Sequence, residues 1–222
     1  MKFRIIAYIR DNLTLGNRLS EFFYGVMMVV VITGLINTGL PPTPSTLSLL
    51  LIVALGVNIS WGIIDGVTSM YGGLVNRADY LRIANEFRVE TNNPDKREQV
   101  ARSLQGTIIE NLSEEDQSKV VAMIGAGKPV PDQRYPATRA DWNVTIAIIL
   151  IDFILIFPVV LPYFLFDNVR SAVFVSHTIA IILMAADAMV WAGYLRLNTL
   201  KAGFIIAVIT FVAIYFTYSI GW

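Results

Sequence analysis

The apolar residues fall into blocks too long and too continuous for the core of a soluble domain. One runs from about Phe22 to Leu40 and a second from about Leu47 to Val75. Three more cover about Asn143 to Phe166, Ser171 to Leu195 and Ala202 to Ile220. A helix rising about 1.5 Å per residue needs roughly 20 residues to cross a bilayer, and each block is near or above that length. Short polar connectors, PPTPST, DNVR and RLNTLK, separate most of them. Only residues 76–141 are polar over a long stretch. The pattern predicts an all-α integral membrane protein with five transmembrane helices and a small helical cytoplasmic unit between helices 2 and 3.

Within 76–141, Arg77 to Val89 reads as an extension of the second helix. NNPD breaks it, with Asn93 as N-cap and Pro94 at the first helical position of the next. Val100, Leu104, Ile108 and Leu112 recur every four residues, which predicts one helix with a single apolar stripe. Ser113-Glu114-Glu115-Asp116 opens another helix in the manner of a capping box, and GAGKP ends it. So small a unit holds little core and would have to pack on a second copy or on the membrane helices. The first 21 residues read as an amphipathic helix lying on the membrane, anchored by Lys2, Arg4 and Arg10. They do not read as a secretory signal, because Arg10, Asp11 and Arg18 follow a short apolar stretch with no small-residue cleavage site. The expected organisation is therefore 1–21 interfacial helix, 22–75 helices 1 and 2, 76–141 cytoplasmic unit, and 142–222 helices 3 to 5.

Composition agrees with this pattern: 55% of residues are hydrophobic and 15% charged, against about 25% charged in soluble domains. The net charge of +0 hides a strong asymmetry. With a cytoplasmic N-terminus, every Lys and Arg except Arg170 falls on the inner side, so the positive-inside rule places the N-terminus in the cytoplasm and the C-terminus outside. The cell membrane is the expected location. The absence of cysteine excludes disulfides, thiolate metal sites and a Cys nucleophile, and the single His177 excludes a multi-His site within one chain. No phosphate loop, nucleophile elbow or zinc-helix motif occurs, so neither an enzyme nor a nucleic-acid partner is expected.

The chemistry worth following lies inside the apolar blocks. In the second, Asn58, Gly62, Asp65, Ser69, Gly72 and Asn76 are spaced 4, 3, 4, 3 and 4 apart, which makes one polar and small-residue stripe on a helix. Such a stripe serves either as a close helix–helix interface or as the lining of a pathway. Asp65 favours the pathway, because a carboxylate at mid-membrane costs roughly 2.5–3.5 kcal/mol on insertion scales and such groups mark ion or proton routes. Asp152 and Asp187 repeat the anomaly in the third and fourth blocks, with no Lys or Arg beside them. Unpaired carboxylates there have to be protonated, hydrogen-bonded or bound to a cation, which points to cations or protons rather than anions. A purely structural role is the competing reading.

Other features carry weaker signals. His177, near the outer end of the fourth block, reads as an interfacial hydrogen-bonding residue. Methionines in spans ordinarily pack, but Met70, next to Ser69 and one turn from Asp65, is a candidate soft ligand. Pro158 and Pro162 predict a bent or broken third span. Glu86 with Glu90, and Glu110 with Glu114, are carboxylate pairs able to hold a hard divalent cation. Interleaved arginines make a solvated, salt-bridged surface the alternative.

This combination resembles the vacuolar iron transporter family. Ser69-Met70-Tyr71-Gly72-Gly73 is similar to that family's Ser-Met-x-x-Gly-Glu, the unit 76–141 lies where its metal-binding unit lies, and Pro158 and Pro162 look like its paired prolines. The resemblance implies a homodimer in the lipid bilayer, a pathway on the two-fold axis, and export of Fe²⁺ or Mn²⁺ from the cytosol against protons, with no permanently bound cofactor. Tyr24 and Gly73 stand where the family has acidic residues, and Glu21 lies one turn before Tyr24. The expected pathway residues are Asp65, Ser69, Met70, Asn58, Glu21, Asp152 and Asp187. The expected metal ligands are Met70, Asp65, Glu86, Glu90, Glu110 and Glu114. The alternative is a non-transporting membrane subunit or scaffold that uses the same fold for helix association.

Overall fold

A computed structural model describes residues 2–39, 43–130 and 134–220. Leu40, the end of the first expected span, and Pro41 and Pro42, which open the first expected connector, lie outside the described residues. The described chain is helical, without strands. Its elements are α1 (Lys2–Asn12), α2 (Leu15–Gly39), α3 (Pro44–Val89), α4 (Pro94–Ser103), α5 (Glu114–Gly125), α6 (Arg139–Val160), α7 (Pro162–Leu165), α8 (Val169–Tyr194) and α9 (Thr199–Ile220). Among the described residues five helices, α2, α3, α6, α8 and α9, are long and apolar enough to cross a membrane. The chain forms two compact units, Met1–Thr68 with Trp142–Trp222, and Ser69–Asp141.

In the first unit the expected N-terminal helix of 21 residues is two pieces. α1 stops at Asn12, and the Thr14 hydroxyl accepts from the Asn17 amide at 3.2 Å, so a new helix starts at Leu15. A threonine here satisfies an amide that the first turn leaves without a partner. Glu21 therefore belongs to the first long helix. Ile9 of α1 and Leu13, just after it, pack on Ala147 and Ile148 of α6, and the Tyr8 hydroxyl donates to Asn143 Oδ1 at 3.2 Å.

The core of this unit gathers Val26, Val29 and Val30 of α2, Leu50 and Ala54 of α3, Ile156 and Val159 of α6, and Val173, Ala180 and Met184 of α8. Buried positions on α6 include Thr145, Ile148, Asp152, Leu155 and Val159, at helical spacing; on α8 they include Val173, Ser176, Ala180, Met184 and Asp187. Each aspartate thus occupies a position of the inward-facing stripe. Pro158 stays within α6, and the break comes at Leu161, with Pro162 opening α7. Proline at 162 has no amide to give Pro158's carbonyl. The neighbouring Val159 carbonyl accepts from Ser176 Oγ at 2.6 Å, so α8 braces the break. His177 is buried, with Nε2 3.1 Å from Thr33 Oγ1 of α2; it is a packed residue and not an exposed one.

α3 and α6 approach at glycines. A Cβ at Gly66 would lie 2.9 Å from the Thr145 carbonyl oxygen, and one at Gly62 would lie 2.9 Å from Asp152 Oδ2. Thr145 Oγ1 donates to the Gly66 carbonyl at 3.0 Å, which fixes the register. The buried row of α3 in this unit is Leu50, Ala54, Asn58, Gly62 and Gly66, spaced by four throughout. That row differs from the predicted stripe, whose later members Ser69, Gly72 and Asn76 are exposed.

The second unit has its own small core of Phe87, Val100 and Val121, with Ile83, Leu104 and Ile124 packed against it. Asn93 caps α4 through the Asp95 amide at 3.0 Å, and Ser113 caps α5 through the Asp116 amide at 3.2 Å while donating to Asp116 Oδ2 at 2.8 Å. The predicted stripe from Val100 to Leu112 is cut short. Gly106 adopts φ +74°, the left-handed conformation that glycine takes without a Cβ penalty, and the Ser103 and Thr107 hydroxyls donate to the Val100 and Leu104 carbonyls. These local bonds compete with the helical ladder. The chain continues as a 3-10 turn, Ile108–Asn111, with Ile108 exposed.

Two outcomes test these contacts. Gly66→Ala pushes a methyl onto a backbone oxygen and should cost about 1–3 kcal/mol, seen as a lower unfolding temperature of the purified protein. Gly72→Ala meets open space and should be neutral or raise it, by up to about 1 kcal/mol of helix propensity. The Ser113 hydroxyl, then Lys119, hold Asp116 below the usual carboxylate range. A depressed folded pKa gives stability that is present above the unfolded value and lost as pH falls through the folded one. Amide exchange at residues 114–117 should accelerate across that acidic window, and Asp116→Ala should remove the dependence.

Candidate functional site

Three carboxyl groups from three helices meet inside the first unit. Glu21 of α2 and Asp65 of α3 lie within side-chain hydrogen-bonding reach, and Asp152 of α6 is a neighbouring charge to both. Each is placed by a local sequence feature. Thr14 sets the start of α2 and hence the face that carries Glu21. Gly62 and Gly66 let α3 approach α6 closely enough for Asp65 to join the cluster. The inward stripe of α6 buries Asp152, which is 1% exposed.

Asp152 is seated between two glycines. Its Oδ1 lies 3.5 Å from the position of a Cβ on Gly25, and its Oδ2 2.9 Å from that on Gly62. Both its oxygens, and Glu21 Oε2, have no hydrogen-bond partner among the described residues. Acceptors deprived of donors at this depth are costly, roughly 1–3 kcal/mol for a neutral group and more for a charged one. Two carboxyl groups come within hydrogen-bonding reach when a proton or a cation lies between them. Asn58, one turn before Gly62, is fully buried; its Nδ2 donates to the Ala54 carbonyl at 3.2 Å and its Oδ1 is unpartnered.

The sequence-predicted residues thus divide. Glu21, Asp65 and Asp152 come together, with Asn58 on the same helix face as Gly62. Asp187 is buried on α8 but lines a different cavity, between α2, α8 and α9. Met70 is buried and Ser69 exposed, both in the second unit. Gly25, Gly62 as the seat of Asp152, and Thr145 are not legible as site residues in the sequence; for Gly62 alone there is a signal, the four-residue row ending at Gly66.

In the second unit the candidates Glu86, Glu90 and Glu110 are held by their own chain. Glu86 pairs with Arg82 at 2.9 Å and with Lys96. Glu90 accepts from Asn93 Nδ2 at 2.8 Å, and Glu110 from the Gly106 amide at 2.7 Å. Glu110 and Glu114 line a cavity of about 390 Å³ with Arg97, Glu98 and Gln117. Among the described residues no three His, Asp or Glu side chains form a cluster able to hold a metal ion. Neither a family model nor a curated protein matches this chain.

A carboxylate retained for packing would be supplied with donors. Asp152→Asn keeps the shape, removes the buried acid and offers an amide to its acidic neighbours. It should leave the unfolding temperature unchanged or raise it, by about 2–4 °C for each kcal/mol gained, in thermal unfolding of the purified protein. A large decrease would show that the carboxylate serves the fold.

Proposed function

We propose that the chain is a membrane transporter of divalent cations, Fe²⁺ or Mn²⁺, which it moves out of the cytosol in exchange for protons, using Glu21, Asp65 and Asp152 as the acidic residues of the pathway. The convergence of these three carboxyls, with both oxygens of Asp152 free of donors, carries this reading. Hard oxygen ligands suit such ions and also exchange protons, so one group of residues serves either occupant in turn.

Several features support the membrane setting. Five helices have the necessary length and apolarity. α9 leaves Phe204, Phe211, Tyr215 and Phe216 exposed, a surface suited to lipid rather than to water. The distribution of Lys and Arg supports a cytoplasmic N-terminus. Three carboxyls without a closed coordination cluster in one chain fit a pathway completed by a second copy, as the resemblance to vacuolar iron transporters implies. Met70, the methionine of the expected motif, is buried and belongs to the second unit.

A second reading is a non-transporting subunit whose small-residue row serves helix association. The close approach at Gly62 and Gly66 favours it, since a packed interface needs the same glycines. Buried acceptors without donors are what it leaves unexplained.

Reconstitution separates the two. Mn²⁺ or Fe²⁺ flux into proteoliposomes should depend on a pH gradient, and Asp152→Asn, Glu21→Gln and Asp65→Asn should each lower it by at least about tenfold, the loss usual when a ligand or its support is removed. Absence of flux, or flux indifferent to all three, would overturn the transport reading.

A further inference from the structure

The cavity between α2, α8 and α9 takes no part in the carboxyl cluster and has a distinct chemistry. It holds about 360 Å³ and is lined by Ser20, Phe23, Tyr24, Asp187, Trp191 and Ile206, with small and aliphatic residues completing the wall. Asp187 is 5% exposed, Trp191 lies within hydrogen-bonding reach of it, and Oδ2 has no partner among the described residues. α8 places Asp187 and Trp191 four residues apart on one face, and α2 brings Phe23 and Tyr24 edge to face, their ring centres 6.1 Å apart.

The lining limits what fits. A hard metal ion takes six or more oxygens or keeps its waters, and the side chains of this wall give one carboxylate and the hydroxyls of Ser20 and Tyr24. An anion would be repelled, and a neutral apolar molecule would leave Asp187 unpaired. An ammonium group on an apolar body satisfies every part: the carboxylate supplies the counter-charge, the aromatic rings attract the cation through their π faces, and the aliphatic wall covers the rest. The volume suits a small ligand.

We propose that this cavity binds an organic ammonium group, with Asp187 as its counter-ion and Phe23, Tyr24 and Trp191 as its aromatic wall. An amphiphilic free amine and the head group of an aminolipid share this chemistry.

Calorimetric titration of the full-length purified protein with octylammonium, octanol and octanoate tests it. Octylammonium should bind at least about tenfold more tightly than either of the others, and Asp187→Asn should weaken octylammonium by a similar factor. Ala202→Phe, which fills the cavity and leaves Asp187 in place, should abolish binding with the helical circular dichroism of the wild type. Octanol binding as tightly as octylammonium would overturn the proposal, as would wild-type affinity in both variants. Nanodiscs separate the two sources. If octylammonium binds more weakly with phosphatidylethanolamine present than with phosphatidylglycerol alone, the aminolipid occupies the cavity; equal affinity in the two assigns it to a free amine.

Discussion

The approach of α3 to α6 constrains the rest of the first unit. At Gly66 the helices are so close that even a methyl group would strike the Thr145 carbonyl, and the Thr145 hydroxyl ties the two backbones together. One turn away the same closeness presses Asp152 onto Gly62. Because Asp152 is fixed by backbone geometry and not by hydrogen bonds, its oxygens stay free of donors. Helix association through small residues is ordinarily a packing device. Here it also positions the acid, so the contact that holds the unit together is the one that seats its buried carboxyl group.

Around that contact the unit resolves its other local conflicts by borrowing partners across helices. The break at Pro162 is braced by Ser176, and the imidazole of His177 meets the Thr33 hydroxyl on α2. In each case a buried polar group finds its match on a different element, as interior polar groups generally do. The carboxyls of Glu21 and Asp152 depart from that rule. The same fold that satisfies these serine and threonine hydroxyls leaves both oxygens of Asp152 and one of Glu21 without a partner among the described residues.

Much of this architecture was legible because its signals are local. Asn93, Ser113 and the apolar blocks act within one or two turns, and their helices start where the caps place them. Asp152 and Asp187 were legible as anomalies, since a lone acid in an apolar run stands out whatever it touches. Less legible was anything set by two elements at once. The 4-3-4-3-4 stripe and the buried four-residue row share Asn58 and Gly62, and choosing between them needs the partner helix, because a four-residue row precesses around its helix while the alternating one runs straight. The stripe through Ile108 failed for the opposite reason. Its period was right, but one glycine and two hydroxyls outcompeted it locally. Tyr24 read as a missing acid, whereas in three dimensions it belongs to the wall of another cavity.

The seat of Asp152 between Gly25 and Gly62 has an evolutionary corollary. Most binding sites drift by small adjustments, as a neighbouring methyl is gained or lost and the ligands shift by tenths of an ångström. Here one side of the seat is closed to them: a Cβ on Gly62 would lie 2.9 Å from the carboxylate, whereas one on Gly25, 3.5 Å away, would make ordinary contact. A change at Gly62 is therefore tied to a change at Asp152. On the transport reading, divergence in what the cluster accepts should proceed by exchanges of residue identity on an unchanging backbone.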